Sequence, residues 1–308
     1  MAVGGARTNR EDDYERAPRH NVKVVLIGAN GQLGTDLVPA MNGWDVAAWS
    51  HRDVEVCDFS ATRDALTRVA PDLVINTAAF HRVDDCETQA EKALQVNALA
   101  ARNLARICED LRCALLHVST DYVFGGEQRV PYAESDVPVP LNAYGVSKLA
   151  GELFVRRLCR RHFVVRSCGL YGVAGSSGKG GNFVETMVRL SQEGRVIRVV
   201  DDQVLTPTYT KDLAEKIVDL VRSERYGLYH ITNHGSCSWY EFTKEIFRVL
   251  EVSPDLAPTT TEAFGAAARR PPYSVLAHAG ILEIGLTDLR PWTEAVAAYL
   301  RQKGHVQP

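Results

Sequence analysis

The chain has 308 residues, 45% hydrophobic and 24% charged, with a formal net charge of −3. That length suffices for one large domain or two modest ones, and the charge balance lacks the basic excess expected of a nucleic-acid binder. No apolar run approaches the roughly 18 residues of a membrane span, so no membrane partner is expected.

Residues 1–20 are polar and charged, without the apolar stretch of a secretory signal, and read as a flexible extension. From there, short β-branched runs alternate with helical patterns. "VKVVLIG" (22–28) is a continuous apolar run, as expected of a strand buried on both faces. "DVAAWS", "LVINTAA" and "CALLHVST" follow, separated by helix-like stretches of which "CETQAEKALQVNALAARNLARICEDL" (86–111) is the longest. A helix holding Tyr144 and Lys148 comes next, then the strand-like "HFVVRSCGLYG" (162–172). This alternation predicts an α/β fold: a Rossmann-like, doubly wound parallel sheet with helices on both faces.

After Tyr171 the texture changes. "GVAGSSGKGGNF" is a Gly/Ser-rich loop leading into a helix near 182–193. "RVIRVVDDQ" reads as a short strand, "TKDLAEKIVDLVRS" as a helix starting near a Thr cap, and "GLYHIT" (227–232) as one more sheet strand. Helices broken by proline-rich turns complete the chain. The expected division is a dinucleotide-binding part (21–172 plus about 204–232) and a smaller C-terminal substrate lobe (about 173–203 plus 233–304), with the cleft between them as the ligand site. The seven cysteines have no Cys-x-x-Cys spacing and the nine histidines no ligand-like spacing. Neither a disulfide framework nor a metal is expected, and a reducing cytoplasm is the natural compartment.

"VVLIGANGQLG" places Gly28, Gly31 and Gly34 after the first strand, at the mouth of a helix. Small residues there let backbone approach a pyrophosphate whose charge sits at the positive helix end. The spacing is Gly-x-x-Gly-x-x-Gly, so the simple dinucleotide fingerprint is not met. Where an NAD-selecting acid is expected, the chain reads Ser50-His51-Arg52, with no acid before Asp53. Arg52 beside a ribose 2′-phosphate favours NADPH, with NADH as the alternative; as a solvated turn residue it decides nothing.

Tyr144 and Lys148, four apart on a helix, share one face. A tyrosine with a pKa near ~10 is a poor acid–base catalyst at neutral pH, and a neighbouring ammonium stabilises its phenolate. Thr120 falls at the C-terminal end of a predicted parallel strand, the edge where such sheets bind ligands. Its hydroxyl is placed either to orient a substrate carbonyl or to cap a turn. Together these features read as carbonyl reduction with a dinucleotide.

The stretches "GANGQLG", "NTAAFHRVDDCE", "VSTDYVFGG", "PLNAYGVSKLAGE", "GGNF", "DDQVLTPTYT" and "GLYHIT" resemble the extended short-chain dehydrogenase/reductases, and within them the dTDP-4-dehydrorhamnose reductase family, over about residues 22–300. The resemblance implies hydride transfer from the nicotinamide to the C4 ketone of a nucleotide-linked 6-deoxyhexose. Thr120, Tyr144 and Lys148 are the implied catalytic trio. Gly28, Asn30, Gly31, Gln32, Leu33 and Gly34 are implied at the pyrophosphate, Asp58 and Phe59 by the adenine, and Asn76, Ala78 and Ala79 along the cofactor. Asn97 is implied to hold a water behind the lysine. His81, Val83, Tyr122, Asn182 and Arg270 are implied for the sugar nucleotide.

Three departures stand out: Gly169 where such reductases often carry tryptophan, the longer "VAGSSGK" insertion, and Thr293 where some place a carboxylate for an interfacial metal. Monomer and homodimer both remain open. So do a different 4-keto sugar nucleotide and a non-catalytic NADP-binding regulatory subunit resembling that of methionine adenosyltransferase.

Overall fold

Val24, Val25 and Leu26 have no exposed surface, and Ile27 only 2%, because the strand that carries them is covered on both faces. The computed structural model describes residues 22–175 and 181–307. The extension expected over 1–20 and most of the "VAGSSGK" insertion lie outside the described residues. Strand β1 (Lys23–Ile27) leads to helix α1 (Gln32–Ala40), then β2 (Asp45–Trp49), α2 (Phe59–Val69) and β3 (Leu73–Asn76). Helices α3 (Val83–Thr88), α4 (Ala90–Leu94) and α5 (Ala100–Leu111) precede β4 (Ala114–Thr120). Then come α6 (Ala143–Leu158), β5 (His162–Ser167), β6 (Leu170–Tyr171), α7 (Phe183–Ser191), β7 (Ile197–Val200), β8 (Val204–Leu205) and β9 (Thr208–Tyr209). Helix α8 (Thr210–Arg222), β10 (Gly227–His230), β11 (Cys237–Ser238), α9 (Trp239–Leu250) and β12 (Leu256–Thr259) follow. Two short helices, α10 (Thr261–Phe264) and α11 (Ala279–Glu283), and the longer α12 (Trp292–Gln302) complete the chain.

The main sheet has six strands in the order β10-β5-β4-β3-β1-β2, and all five pairings are parallel. β1 pairs with β2 on one side and β3 on the other, so the chain reverses its winding direction there. Such a switch opens a crevice beyond the strand C-termini, here between the loop after Ile27 and the one after Asn76. One buried cluster covers one sheet face with Leu33, Leu37, Leu213, Ile217 and Leu220. The other packs Leu66, Ala101, Leu104, Ala105, Ile107 and Val155 on the opposite face. Each fully buried leucine or isoleucine contributes about 1.5–3 kcal/mol over its exposed state.

A third cluster stands apart from the sheet. Tyr171, Val184, Met187, Tyr209, Phe242, Ile246, Val296 and Tyr299 knit together α7, α9 and α12. β7, expected as a strand, pairs in parallel with β12 rather than with the main sheet. Helix α9 starts from a reciprocal capping box, with Ser238 Oγ accepting from Glu241 N and the Glu241 carboxylate accepting from Ser238 N.

Two local expectations change. The long helix read over 86–111 is broken at Gln89 (φ −126°) and winds as a π-helix over Gln95–Leu99 before α5. Asn97, inside that segment, accepts from Phe80 N at 2.8 Å and donates to Phe80 O at 3.0 Å and Ser147 Oγ at 2.9 Å. α8 has no threonine cap: Tyr209 is its N-cap, and Thr210 Oγ1 instead donates to Asp36 Oδ2 at 2.5 Å, tying α8 to α1.

Candidate active site

Gly28 has φ +86°, a conformation that favours glycine, and its N–H reaches back to Trp49 O at 2.9 Å. A Cβ on Gly34 would sit 2.2 Å from Gly28 O and 2.8 Å from Ala29 Cα, so only glycine lets α1 close against the turn. Gly31 is the N-cap of α1 and supplies no side-chain cap, and the first turn holds no acid. The first N–H groups of a nine-residue helix are therefore available to an anion. Gln32 donates to Leu170 O at 2.8 Å, while its Oε1 is buried without a partner. Leu33 packs into the core, so only its backbone is available to a ligand, and Asn30 is exposed. A glycine-lined cradle at the uncapped N–H groups of α1 fits a pyrophosphate, whereas the orphaned Gln32 Oε1 is an acceptor and needs a donor.

At the tip of β2, Ser50 N and Oγ both donate to Asp53 Oδ2 at 2.7 Å. These bonds hold the Asp53 carboxyl below its usual range. Arg52 is exposed, and no ion pair engages it among the described residues. The acid nearest the expected ribose is thus committed to the turn, whereas the guanidinium beside it is not. Asp58 caps α2 by accepting from Ala61 N at 2.9 Å, and Phe59, 37% exposed, lies under the Arg63 guanidinium at 5.2 Å.

Asn142 caps α6, accepting from Gly145 N at 2.8 Å, and thereby sets where Tyr144 enters the site. Gly145 is required there, since a Cβ would meet Tyr122 O at 2.2 Å. Tyr144 is half-buried; desolvation raises the phenol pKa and the nearby Thr120 side chain lowers it in part. Thr120 ends β4 and also caps the short 3-10 turn Asp121–Val123, accepting from Tyr122 N at 3.2 Å. The capping reading of Thr120 therefore holds.

Lys148, 2% exposed, donates to Val118 O at 2.6 Å, two residues before Thr120. Burial lowers its pKa to about 8, against the pull of Glu152. Its Nζ also lies 3.5 Å from His117 Nε2. Asn76 Oδ1 accepts from Ala78 N at 3.1 Å, so its amide donates to His117 Nδ1 at 3.1 Å and leaves the imidazole proton on Nε2. Burial, with Lys148 beside it, pushes His117 well below its usual range and keeps it neutral. Asn76 thus anchors this inner layer through its side chain. Behind it Glu152, with no exposure, accepts from Ser119 Oγ at 2.5 Å and pairs with buried Arg166 at 2.7 Å.

Tyr122 meets Tyr144 edge-on, ring centroids 6.0 Å apart. Arg270 grips Asp84 of α3 with both terminal nitrogens, at 3.1 and 2.8 Å, and its charge lies close enough to Tyr122 to favour the ionised phenol. Ala268 N donates to Asp84, Asn142 Nδ2 donates to Arg269 O, and Ser274 Oγ lies 3.9 Å from Cys168 Sγ. Residues 268–274 thus run across the site as a strap. Val83 opens α3 and His81 lies just before it, within reach of Ala79 O at 3.4 Å. Asn182 serves the fold instead, capping α7 by accepting from Glu185 N and donating to Gly172 O and Tyr299 OH. Asn142, Gly145, Asp84 and Asp121 were not singled out from sequence; the Asn-x-x-Gly cap before the Tyr-Lys helix was the available signal.

The model of the RmlD substrate binding domain family matches residues 22–304. This chain belongs to that family. It is 39% identical over 283 residues to the spore coat polysaccharide biosynthesis protein SpsK of Bacillus subtilis, covering 91% of this chain and 98% of that protein. It is 41% identical over 276 residues to the dTDP-4-keto-6-deoxy-D-glucose reductase of Streptomyces niveus, covering 88% and 94%. Among solved structures, dTDP-4-dehydrorhamnose reductase from Bacillus anthracis in complex with NADP superposes with a TM-score of 0.88 at 38% identity, over 92% of this chain and 99% of that one.

As a member of the RmlD family the chain shows two local particulars. Gly169 has φ +56°, and a Cβ there would lie 3.0 Å from Leu205 Cδ1 and 3.2 Å from Thr206 O, so a larger residue needs a different local backbone. His234, His278 and Asp288 bring three potential metal-ligating atoms within 4.8 Å, a grouping not evident in sequence. Both histidines are engaged by Asp288 at 2.8 Å, so hydrogen bonds already account for the group.

Proposed function

We propose that this chain reduces the C4 ketone of a dTDP-linked 4-keto-6-deoxyhexose with NADPH, taking dTDP-4-dehydro-L-rhamnose to dTDP-L-rhamnose. The observation that carries the reading is buried Lys148, one helical turn after Tyr144 on α6, bound at 2.6 Å to Val118 O, two residues before Thr120 at the end of β4. The bound cofactor supplies the hydride. Gly28, Gly31 and Gly34 admit its pyrophosphate to the α1 N-terminus through the free N–H groups there, and Arg52 takes the ribose phosphate. Phe59 is placed for the adenine, and Ala78 and Ala79 line the crevice opposite the glycine loop.

Tyr144 gives its proton to the ketone oxygen as the C–H bond forms, and Lys148 offsets the phenolate that remains. The positive charge of Lys148 favours the ionised tyrosine once burial no longer weakens it, so the lysine's departure from Val118 O toward a ribose is part of the cycle. Tyr122, Arg270, His81 and Val83 face the sugar nucleotide. The third core cluster, with α7, α9 and α12, forms the substrate lobe. No described helix is long and apolar enough to cross a membrane, and the seven free cysteines suit a reducing cytoplasm.

A second sugar is favoured by one observation. The Streptomyces niveus relative, named for a different 4-keto sugar, is 41% identical, whereas the dTDP-4-dehydrorhamnose reductase of Streptomyces griseus is 36% identical. The relatives' enzymatic names favour catalysis over the regulatory-subunit reading. Purified protein with NADPH and dTDP-4-keto-6-deoxy-L-lyxo-hexose decides between these. Rapid NADPH oxidation is expected; turnover only with other ketosugars points to the second sugar, and binding without any turnover contradicts the enzyme reading.

A further inference from the structure

The residue after Thr120 is a carboxylate with 3% exposure, and no step of the reduction described above uses it. Asp121 Oδ1 accepts from Thr120 Oγ1 at 3.0 Å, and Oδ2 accepts from Cys168 Sγ at 2.9 Å. Ser274, from the strap, and the Asp121 backbone N–H lie close enough to lower its pKa. Cys168, just beyond β5, lies 3.9 Å from Ser274 Oγ, so strand end and strap meet around one carboxyl. Among the described residues no cation acts on Asp121; burial raises its pKa against all of these donors.

Hydrogen-bond accounting on Thr120 gives this contact its meaning. A threonine hydroxyl has one proton and two lone pairs. The proton goes to Asp121, and one lone pair accepts from Tyr122 N. The remaining lone pair is left to accept, and the Thr120 side chain lies close enough to the Tyr144 phenol to lower its pKa. In this state Thr120 has no proton to offer a ketone and meets the Tyr144 hydroxyl only as an acceptor.

We propose that Asp121 is a positioning residue for the reduction: by holding the single Thr120 proton, it turns Thr120 into the acceptor for Tyr144 and keeps the tyrosine loaded as a phenol. The inference rests on the reductase reading above. When the ketone arrives, the Tyr144 O–H bond breaks and its proton forms the new alcohol. Thr120 then rotates its O–H from Asp121 to the phenolate, and Asp121 keeps the hydrogen bond from Cys168. No proton leaves Asp121 and no covalent bond to it forms. The carboxylate also bears on Tyr144 through its charge, which opposes phenolate formation. Of the other titratable groups, Cys86 and the Tyr122 ring face Tyr144, and Lys148 occupies the next helical turn.

The test is a double-mutant cycle, because the positioning action of Asp121 runs through Thr120 and is lost with the hydroxyl, leaving only its charge. Asp121→Asn is expected to lower kcat by about 10–100-fold with NADPH binding unchanged, the scale of losing one well-placed group in an active site. In a Thr120→Ala background the same substitution is expected to cost less than about twofold. Removing the charge also makes Tyr144 easier to ionise, so the alkaline limb of kcat/KM moves to lower pH by about one unit.

Equal losses in both backgrounds, or an unmoved alkaline limb, overturn the proposal while leaving the reductase reading intact. Full activity of Thr120→Ala alone overturns the proposal, whereas absence of ketone reduction by the unaltered protein overturns the reductase reading. If Asp121→Asn does not purify as folded protein, Asp121→Ser keeps a short polar acceptor without the charge and takes its place in the same cycle.

Discussion

The Lys148 ammonium lies 2.6 Å from the carbonyl of Val118, so the lysine is bound to the strand that carries Thr120. Its position is enforced from behind: His117 presents Nε2 at 3.5 Å, Asn76 fixes that imidazole, and Ala78 N fixes Asn76. A neutral imidazole whose proton faces an ammonium gives no electrostatic help, and burial already favours the uncharged amine. The fold therefore holds this lysine poorly solvated.

This arrangement has a cost in stability that can be measured. The folded chain holds the Lys148 proton only up to a pH of about 8, below the ordinary lysine value of 10.5. Unfolding therefore takes up a proton between those values, and stability rises with pH across that window. Below about 8 the full penalty is present. Lys148→Met is expected to stabilise the cofactor-free protein near neutral pH by about 1–3 kcal/mol, offset in part by the bond lost at Val118, while turnover collapses. Thermal unfolding across the alkaline range checks this: the gain shrinks toward the ordinary lysine pKa, and a pH-independent difference counts against it.

Gly34→Ala tests the cofactor cradle. The added methyl would lie 2.2 Å from Gly28 O, so α1 must back away from the turn. NADPH affinity is expected to fall at least about 10-fold, with a stability loss of about 1–3 kcal/mol from overpacking. Fluorescence titration with NADPH reads the first and denaturant unfolding the second. Unchanged affinity would remove the loop from the cofactor site.

Arg270→Ala separates binding from structure. The Arg270–Asp84 pair is partly open to solvent, with side-chain exposures of 19% and 46%, so its removal is expected to cost no more than about 1 kcal/mol of stability. If Arg270 and Tyr122 hold the sugar nucleotide, KM for that substrate rises by about 10-fold or more with kcat little changed. Steady-state kinetics at saturating NADPH resolve the two constants. A pure kcat defect would place Arg270 elsewhere in the cycle.

The parallel sheet and the glycine turn were legible because their signals are local. β1 is a run of buried aliphatics, and the loop after it must be small to pass the helix. Tyr144 and Lys148 were legible by helical period, and Thr120 by its place at a strand end. The strap was not, because Asp84 and Arg270 meet across 186 residues and no local pattern announces that contact. The π-helical turn was hidden for a similar reason: residues 86–111 keep a helical texture, and the break becomes visible only when Asn97 finds Phe80 and Ser147. Asn182 shows the converse. It was expected at the sugar nucleotide, yet its position before Phe183 is an N-cap, and its amide is spent on Glu185, Gly172 and Tyr299.

Tyr144→Phe puts the central claim to the most direct test, since it removes one oxygen and leaves the ring in place. NADPH oxidation with dTDP-4-keto-6-deoxy-L-lyxo-hexose is measured beside NADPH binding for the variant and the unaltered protein. Retained binding with turnover reduced by about 10²–10⁴-fold is the predicted result for loss of a positioned proton donor. Full turnover by the variant would contradict the assignment of Tyr144.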